Sequence, residues 1–396
     1  MGNGTGMSGA LLSSALIAAL GGLLFGFDTA VISGTTGALQ EAFGLGGGAL
    51  GFTVASALIG TILGSIVAGP PADRHGRGAV LVAIAVLYLV SALGSALAWD
   101  WYSFLFFRFI GGIGVGGASV VSPMYIAEIS PARLRGRLVA ITQFNIVFGI
   151  LLAFFSNYLI AAVEPGASGW RWMFGVEAAP AAVFLALLFL IPPSPRWLVS
   201  KGRSEEAAAV LGRLGTDSGS VEDEVREIQR SLDLEHHSID EPFFQSAYRK
   251  PILLAVAIAA FNQLSGINAL MYYAPHVFRM AGAGEGSALL QTVAVGGTNL
   301  VFTMAALAVI DLVGRRTLML TGSIGYIASL AATAWAFYAF GTDFTPLGST
   351  VVLASLLVFI ASHAFGQGAV IWVFISEIFP NRVRARDRRW GASPTG

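Results

Sequence analysis

The chain has 396 residues, of which 55% are hydrophobic and 12% charged, against roughly 25% charged in an ordinary soluble domain; the balance excludes a soluble globular protein. Its 23 basic and 23 acidic residues cancel, which argues against a nucleic-acid partner. With no cysteine, disulfides, thiolate metal sites and cysteine nucleophiles are excluded together.

A membrane-crossing helix needs about 20 mostly apolar residues, and ten such stretches succeed one another along the chain. Six lie near 10–32, 50–69, 79–99, 101–124, 138–162 and 172–192, and four near 251–278, 288–310, 317–340 and 350–375. The first lacks a basic leader, is too long for a signal peptide and runs into nine more, so it reads as a span. Between the sixth and seventh lies the one long charged stretch. There Ser220 reads as an N-cap, and Val221, Val225, Ile228 and Leu232 form one apolar stripe at helical spacing. The organisation is therefore a six-helix bundle (1–192), a helical linker (193–250), a second bundle with four helices (251–380) and a basic tail (381–396).

Of the 23 basic residues, all but Arg108, Arg171 and Arg279 fall on one set of loops and the tail. So lopsided a split predicts that these loops, and both termini, face the cytoplasm.

Two motifs recur in the same order. EISPARLR (128–135) returns as EIFPNRVR (377–384), and DRHGR (73–77) returns as DLVGR (311–315). Both recurrences argue for one ancestral six-helix unit, duplicated. Glu128 and Arg135, like Glu377 and Arg384, are seven residues apart, too far for a same-turn pair. We read Asp73, Arg77, Glu128, Arg133 and Arg135, with Asp311, Arg315, Glu377 and Arg384, as a cytoplasmic charge network able to close and open as a gate. Arginines there would orient the helices in any case, but the acids are not needed for that.

Asp28 and Arg108 are the charges that fall deep within apolar spans. An ionisable group there costs at least ~2.5–3.5 kcal/mol unless paired or watered. Counted from their helix ends, both lie about 8–10 Å below the same membrane face, so they can pair. Beside Arg108, Asp28 stays ionised; parted from it in a dry site, it takes up a proton. That makes the pair a candidate proton switch coupled to helix movement.

NQLSGIN (262–268) is unusually polar for an apolar helix. The carboxamides of Asn262, Gln263 and Asn268 offer donors and acceptors without charge, which suits a ligand displaying many hydroxyls. Gly266 allows a bend or a close approach. Gln143 and Asn299 add carboxamides from the fifth and eighth spans, and Trp372 a flat apolar face. By contrast Gly112, Gly114 and Gly117 in GGIGVGG satisfy a dinucleotide-binding spacing with no strand–helix–strand context; close helix packing explains them better.

GGLLFGFDTAVISG, DRHGR, RFIGGIGVG, PMYIAEISPARLRGR, PRWLVSKGR, NQLSGINALMYYAP, DLVGRR and WVFISEIFPNRVRA together resemble the signature series of the sugar porter family of the major facilitator superfamily. Within it they resemble the bacterial proton-coupled symporters of xylose, arabinose and galactose type. The resemblance covers nearly the whole chain to about Ala385. It implies an all-α polytopic membrane protein of the major facilitator fold, two six-helix halves with the second incomplete, moving a monosaccharide by alternating access. It further implies that Asp28 and Arg108 carry proton coupling, and that Gln143, Asn262, Gln263, Asn268, Asn299 and Trp372 contact the sugar with Phe25 and Tyr272 nearby.

The coupling ion would be the proton, with no other cofactor and no catalytic or metal site. The chain would act as a monomer in the lipid bilayer of the cell membrane. The chain departs from the family pattern at Pro193, where a glutamate is usual, and at Asn262, where a glutamine is usual. The tail RDRRWGASPTG follows the tenth helix where the family has two more, which reads as a truncation or frameshift, or as a shorter protein. Two other readings stand beside symport: a facilitative uniporter, which the presence of Asp28 opposes, and a form that does not transport. A membrane enzyme would need clustered catalytic groups at one depth, and the five histidines are scattered.

Overall fold

The computed structural model describes residues 7–371 except 165, 167, 216–219, 238–248 and 342, and the backbone alone of 234–237. Among the described residues there is no strand, and ten helices are long and apolar enough to cross a membrane. Six come first: α1 (Gly9–Gly34), α2 (Gly47–Val67), α3 (Arg77–Ala96), α4 (Trp101–Ile129), α5 (Ala132–Val163) and α6 (Gly169–Leu188). Three shorter helices follow, α7 (Pro195–Ser200), α8 (Ser204–Leu214) and α9 (Val221–His237). The last four spans are α10 (Arg249–Met280), α11 (Glu285–Val313), α12 (Arg315–Phe340) and α13 (Pro346–Ile371). The protein is a multi-pass membrane protein.

Two helix bounds differ from the hydropathy reading. α4 runs on to Ile129 and α5 begins at Ala132, so the EISPARLR octapeptide forms a tight helix-to-helix corner rather than a loop. At about 1.5 Å per residue, the 32 residues of α5 exceed the ~30 Å hydrocarbon thickness. Its arginine-bearing first turns therefore stand outside the apolar layer, where hydropathy does not register them.

Local chemistry sets where the helices start. Asp100 accepts from the backbone amide of Ser103 at 2.7 Å, and the Ser103 hydroxyl accepts from the Asp100 amide at 3.1 Å, a reciprocal cap that opens α4. Ser8 caps α1 by accepting from the Leu11 amide, and its hydroxyl also donates to the Leu214 carbonyl at the end of α8. The glycine run of α4 meets α2 without side chains between: a Cβ at Gly112 would overlap the Ala57 carbonyl, and one at Gly116 the Thr61 carbonyl. Helix contact, not phosphate binding, is what the GGIGVGG spacing provides here.

Hydrophobic packing divides the molecule by depth. Away from the arginine-rich face, one cluster draws on both halves, joining Phe27, Val31, Phe104, Phe154 and Phe174 to Leu270, Met271, Tyr272, Phe278, Val295 and Phe359. At the same end the Arg279 guanidinium packs against Gly37. Toward the arginine-rich face the described residues of the two halves form separate cores. Leu11, Leu81, Tyr125, Ile129 and Leu138 belong to the first, and Ile310, Leu318 and Val370 to the second. Leu198, Val199, Ala207, Val210 and Leu214 of α7 and α8 lie in the first of these cores, so the linker helices pack as part of the first bundle.

Candidate functional site

Asp28 and Arg108 meet deep in the first bundle, each side chain 2% exposed. The Arg108 Nη1 donates to Asp28 Oδ1 at 2.5 Å, and its Nη2 donates to the Asp28 backbone carbonyl at 3.2 Å. The guanidinium also lies 5.3 Å from the centroid of the Phe174 ring, within cation–π range. α1 and α4 can deliver both groups to one point because α4 is glycine-rich there. A Cβ built on Gly111 would lie 3.4 Å from Asp28 Oδ1 and overlap the Ser91 hydroxyl of α3.

A third ionisable residue joins them, which the sequence reading missed. Glu177 is 1% exposed, and its carboxylate interacts electrostatically with both Asp28 and Arg108. It sits where α6 breaks between Gly169–Gly175 and Ala178–Leu188. A lone acid inside a spanning stretch was the available signal. Tyr272 of α10, 6% exposed, brings the second half to the same place, within electrostatic reach of Asp28 and Arg108. Phe25, half-buried one turn before Asp28, packs into the separate core of the first bundle.

The polar stretch of α10 is broken. Its helix stops at Leu264 and resumes at Ile267, with Gly266 at φ +87°, a conformation that suits glycine. Across the break Asn268 Nδ2 donates to Gln263 Oε1 at 2.7 Å. Asn262 instead lines a cavity of about 280 Å³ with Ser265, Ser323, Tyr326 and Gln367. Its side-chain oxygen is buried without a hydrogen-bond partner. The three carboxamides thus present two faces, not one, because the break changes the helical phase.

Asn299 is 6% exposed on α11 and accepts from the Thr303 hydroxyl at 3.5 Å. One turn earlier, Gly296 lies against Leu151 and Phe154 of α5. Gln143 is half-buried on α5. Trp372, Glu377 and Arg384 lie outside the described residues.

On the arginine-rich face, Arg77 Nη2 pairs with Asp73 at 3.0 Å and with Glu128 at 2.8 Å. Its Nη1 donates to the Ala72 carbonyl at 2.9 Å. The other Glu128 oxygen accepts from Ser194 at 2.5 Å, and Trp197 Nε1 donates to the Asp73 carbonyl at 3.1 Å. In the second half Arg315 pairs with Asp311 at 3.0 Å.

Among the described residues these bonds lie within each half and clamp its corners and the linker. Arg135 turns back on its own corner, donating to the Ala127 and Ser130 carbonyls, and Arg133 is exposed. The glycines of the two D-x-x-G-R frames share one backbone conformation: Gly76 at φ +93°, ψ 153° and Gly314 at φ +84°, ψ 148°. That region is essentially restricted to glycine, and its repetition in both halves supports duplication.

Among the described residues there is no group of three or more His, Cys, Asp or Glu side chains placed to hold a metal. The geometry offers a buried acid–base cluster in one half and a broken, carboxamide-rich helix in the other.

Residues 14–387 match the family described as "Sugar (and other) transporter". The glucose transport protein of Synechocystis sp. is 40% identical over 389 residues, covering 93% of this chain and 82% of that protein. The D-xylose-proton symporter of Escherichia coli is 41% identical over 406 residues, covering 95% and 81%. A solved structure of the E. coli xylose transporter XylE, in a partially occluded inward-open conformation, superposes with a TM-score of 0.84 at 39% identity. It covers 97% of this chain and 88% of that one. With ten spans in two related sets, a buried charge cluster and these matches, the chain belongs to the sugar porter family of the major facilitator superfamily.

Proposed function

We propose that the protein is a secondary active transporter that moves a monosaccharide together with a proton by alternating access. The observation that carries the reading is the Asp28–Arg108 pair, 2% exposed and joined by Glu177. Three ionisable groups at one buried point are costly, and a cycling proton gives them a use that plain facilitation does not. The similarity to a D-xylose-proton symporter and a glucose transport protein supports a sugar as the substrate.

The distribution of packing supports a state open toward the arginine-rich face. The described residues of the two halves share a core at the opposite end and form separate cores here. We take that face as cytoplasmic from the arginine bias, with both termini on it, the bilayer of the cell membrane around the spans, and a monomer as the transporting unit. Gln263 and Asn268 on α10, Asn299 on α11 and Gln143 on α5 are the proposed sugar contacts. Asn262, Tyr272, Phe25 and Trp372 complete the set.

Reconstitution into proteoliposomes tests the reading. Labelled D-xylose or D-glucose should accumulate when the outside is made acidic, and an uncoupler should abolish accumulation. Downhill sugar flux with no proton movement would favour facilitation instead.

A further inference from the structure

Tyr88 belongs to no part of the mechanism so far, yet it is fully buried on α3, and its hydroxyl has no hydrogen-bond partner. α3 packs against both α4 and α6. One turn beyond Tyr88 on the same helix face, Ser91 touches Gly111 beside Asp28. The Tyr88 hydroxyl lies within electrostatic reach of both Asp28 and Glu177. Two further buried atoms of this cluster also have no partner, Glu177 Oε1 and Arg108 Nε. The titratable and charged groups around the site are Asp28 from α1, Arg108 from α4, Glu177 from α6 and, beyond the pair, Tyr272 from α10.

A buried hydroxyl without a partner destabilises the state that contains it, and phenylalanine would fill the same space at no such cost. The phenol therefore makes physical sense if another state of the cycle gives it a partner. A carboxylate losing its proton in a dry site needs donors, and Arg108 has both terminal nitrogens committed to Asp28.

We propose that Tyr88 is a positioning residue for proton coupling: its hydroxyl donates to the Glu177 carboxylate when that group is ionised, and so sets the pH at which the buried cluster takes up a proton. The incoming proton is drawn from the open side, binds a Glu177 carboxylate oxygen while Arg108 holds Asp28, and passes to Asp28 when that pair parts; in Glu177→Gln it goes to Asp28 directly. Tyr88 keeps its own proton throughout and only turns its O–H. This role rests on the proton-symport reading.

The test is Tyr88→Phe in proteoliposomes, with initial uptake of labelled D-xylose or D-glucose followed across a pH series and sugar counterflow as the folding control. A hydrogen bond to the ionised form holds that form down in pH. Its loss should move the midpoint of proton-driven uptake upward by roughly half to one pH unit, as an ordinary net hydrogen bond implies. In a Glu177→Gln background the same substitution should leave the midpoint unmoved. An unchanged midpoint in the single variant, or an equal shift in both backgrounds, would overturn the proposal while uncoupler-sensitive uptake by the unmutated protein left symport standing. Uptake by the unmutated protein that ignores uncoupler would overturn both. If Tyr88→Phe shows no counterflow, Tyr88→Met carries the same expectation.

Discussion

Arg108 grips Asp28 twice, at the carboxylate (2.5 Å) and at the backbone carbonyl (3.2 Å), from a residue 80 positions away. The second contact ties the guanidinium to the α1 backbone as well as to the charge, so protonating Asp28 would leave the backbone bond alone to hold Arg108 to α1. An asparagine can still accept from Arg108 but cannot cycle a proton. Asp28→Asn should therefore retain sugar exchange between equal pools and lose uphill accumulation. The measurement is labelled-sugar uptake with and without uncoupler, and a variant that still concentrates sugar in an uncoupler-sensitive manner would remove Asp28 from the coupling role.

Gln263 is exposed where α10 breaks and holds Asn268 across the break. A carboxamide donating to or accepting from a sugar hydroxyl leaves that hydroxyl without a partner when truncated. Gln263→Ala is expected to weaken binding by ~1–3 kcal/mol, measured by calorimetry against D-xylose and D-glucose. Equal affinities in both proteins would exclude Gln263 from the site.

Hydropathy made the ten spans legible because hydrocarbon thickness is a strong constraint on composition, and the repeated octapeptides marked the duplication. Asp28 and Arg108 stood out as isolated charges on opposite partners at equal depth. Glu177 was legible as a lone acid near the start of the 172–192 stretch; what no run of apolar letters reveals is the break in α6 that buries it beside Asp28 and Arg108. The phase change at Gly266 likewise could not be read from spacing: an unbroken helix would turn Asn262 and Asn268 to similar faces, whereas the φ of +87° separates them. Arg135 also satisfies the last carbonyls of α4, the usual need of a helix C-terminus and one that motif spacing does not announce.

Glu128 accepts from Arg77 and from Ser194, joining α3, α4 and the start of α7. Arg77 is only 10% exposed at its side chain, so it depends on these partners. In Glu128→Gln the arginine keeps Asp73 and the Ala72 carbonyl but loses its strongest charge partner, and a loss of about 1–3 kcal/mol is expected. The purified variant should melt at lower temperature and be cleaved faster by trypsin within the linker. Unaltered cleavage would mean that the clamp does not hold α7 to the bundle.

The two D-x-x-G-R glycines allow one backbone effect to be measured twice. Gly76 and Gly314 adopt the same positive-φ conformation, and an alanine at either should cost of order 1–3 kcal/mol from strain alone. Their surroundings differ. A Cβ on Gly314 meets nothing within 4 Å, whereas one on Gly76 lies 3.2 Å from the Trp197 indole, whose nitrogen is bonded to the Asp73 carbonyl. Gly314→Ala should therefore report strain only, and Gly76→Ala strain plus displacement of Trp197. Thermal melts of the two variants should rank Gly76→Ala as the less stable. Tryptophan fluorescence should change for Gly76→Ala and not for Gly314→Ala. If Gly314→Ala were the more damaging, the shared turn would not be the dominant demand at these positions, and the repeat would owe its glycines to something other than backbone geometry.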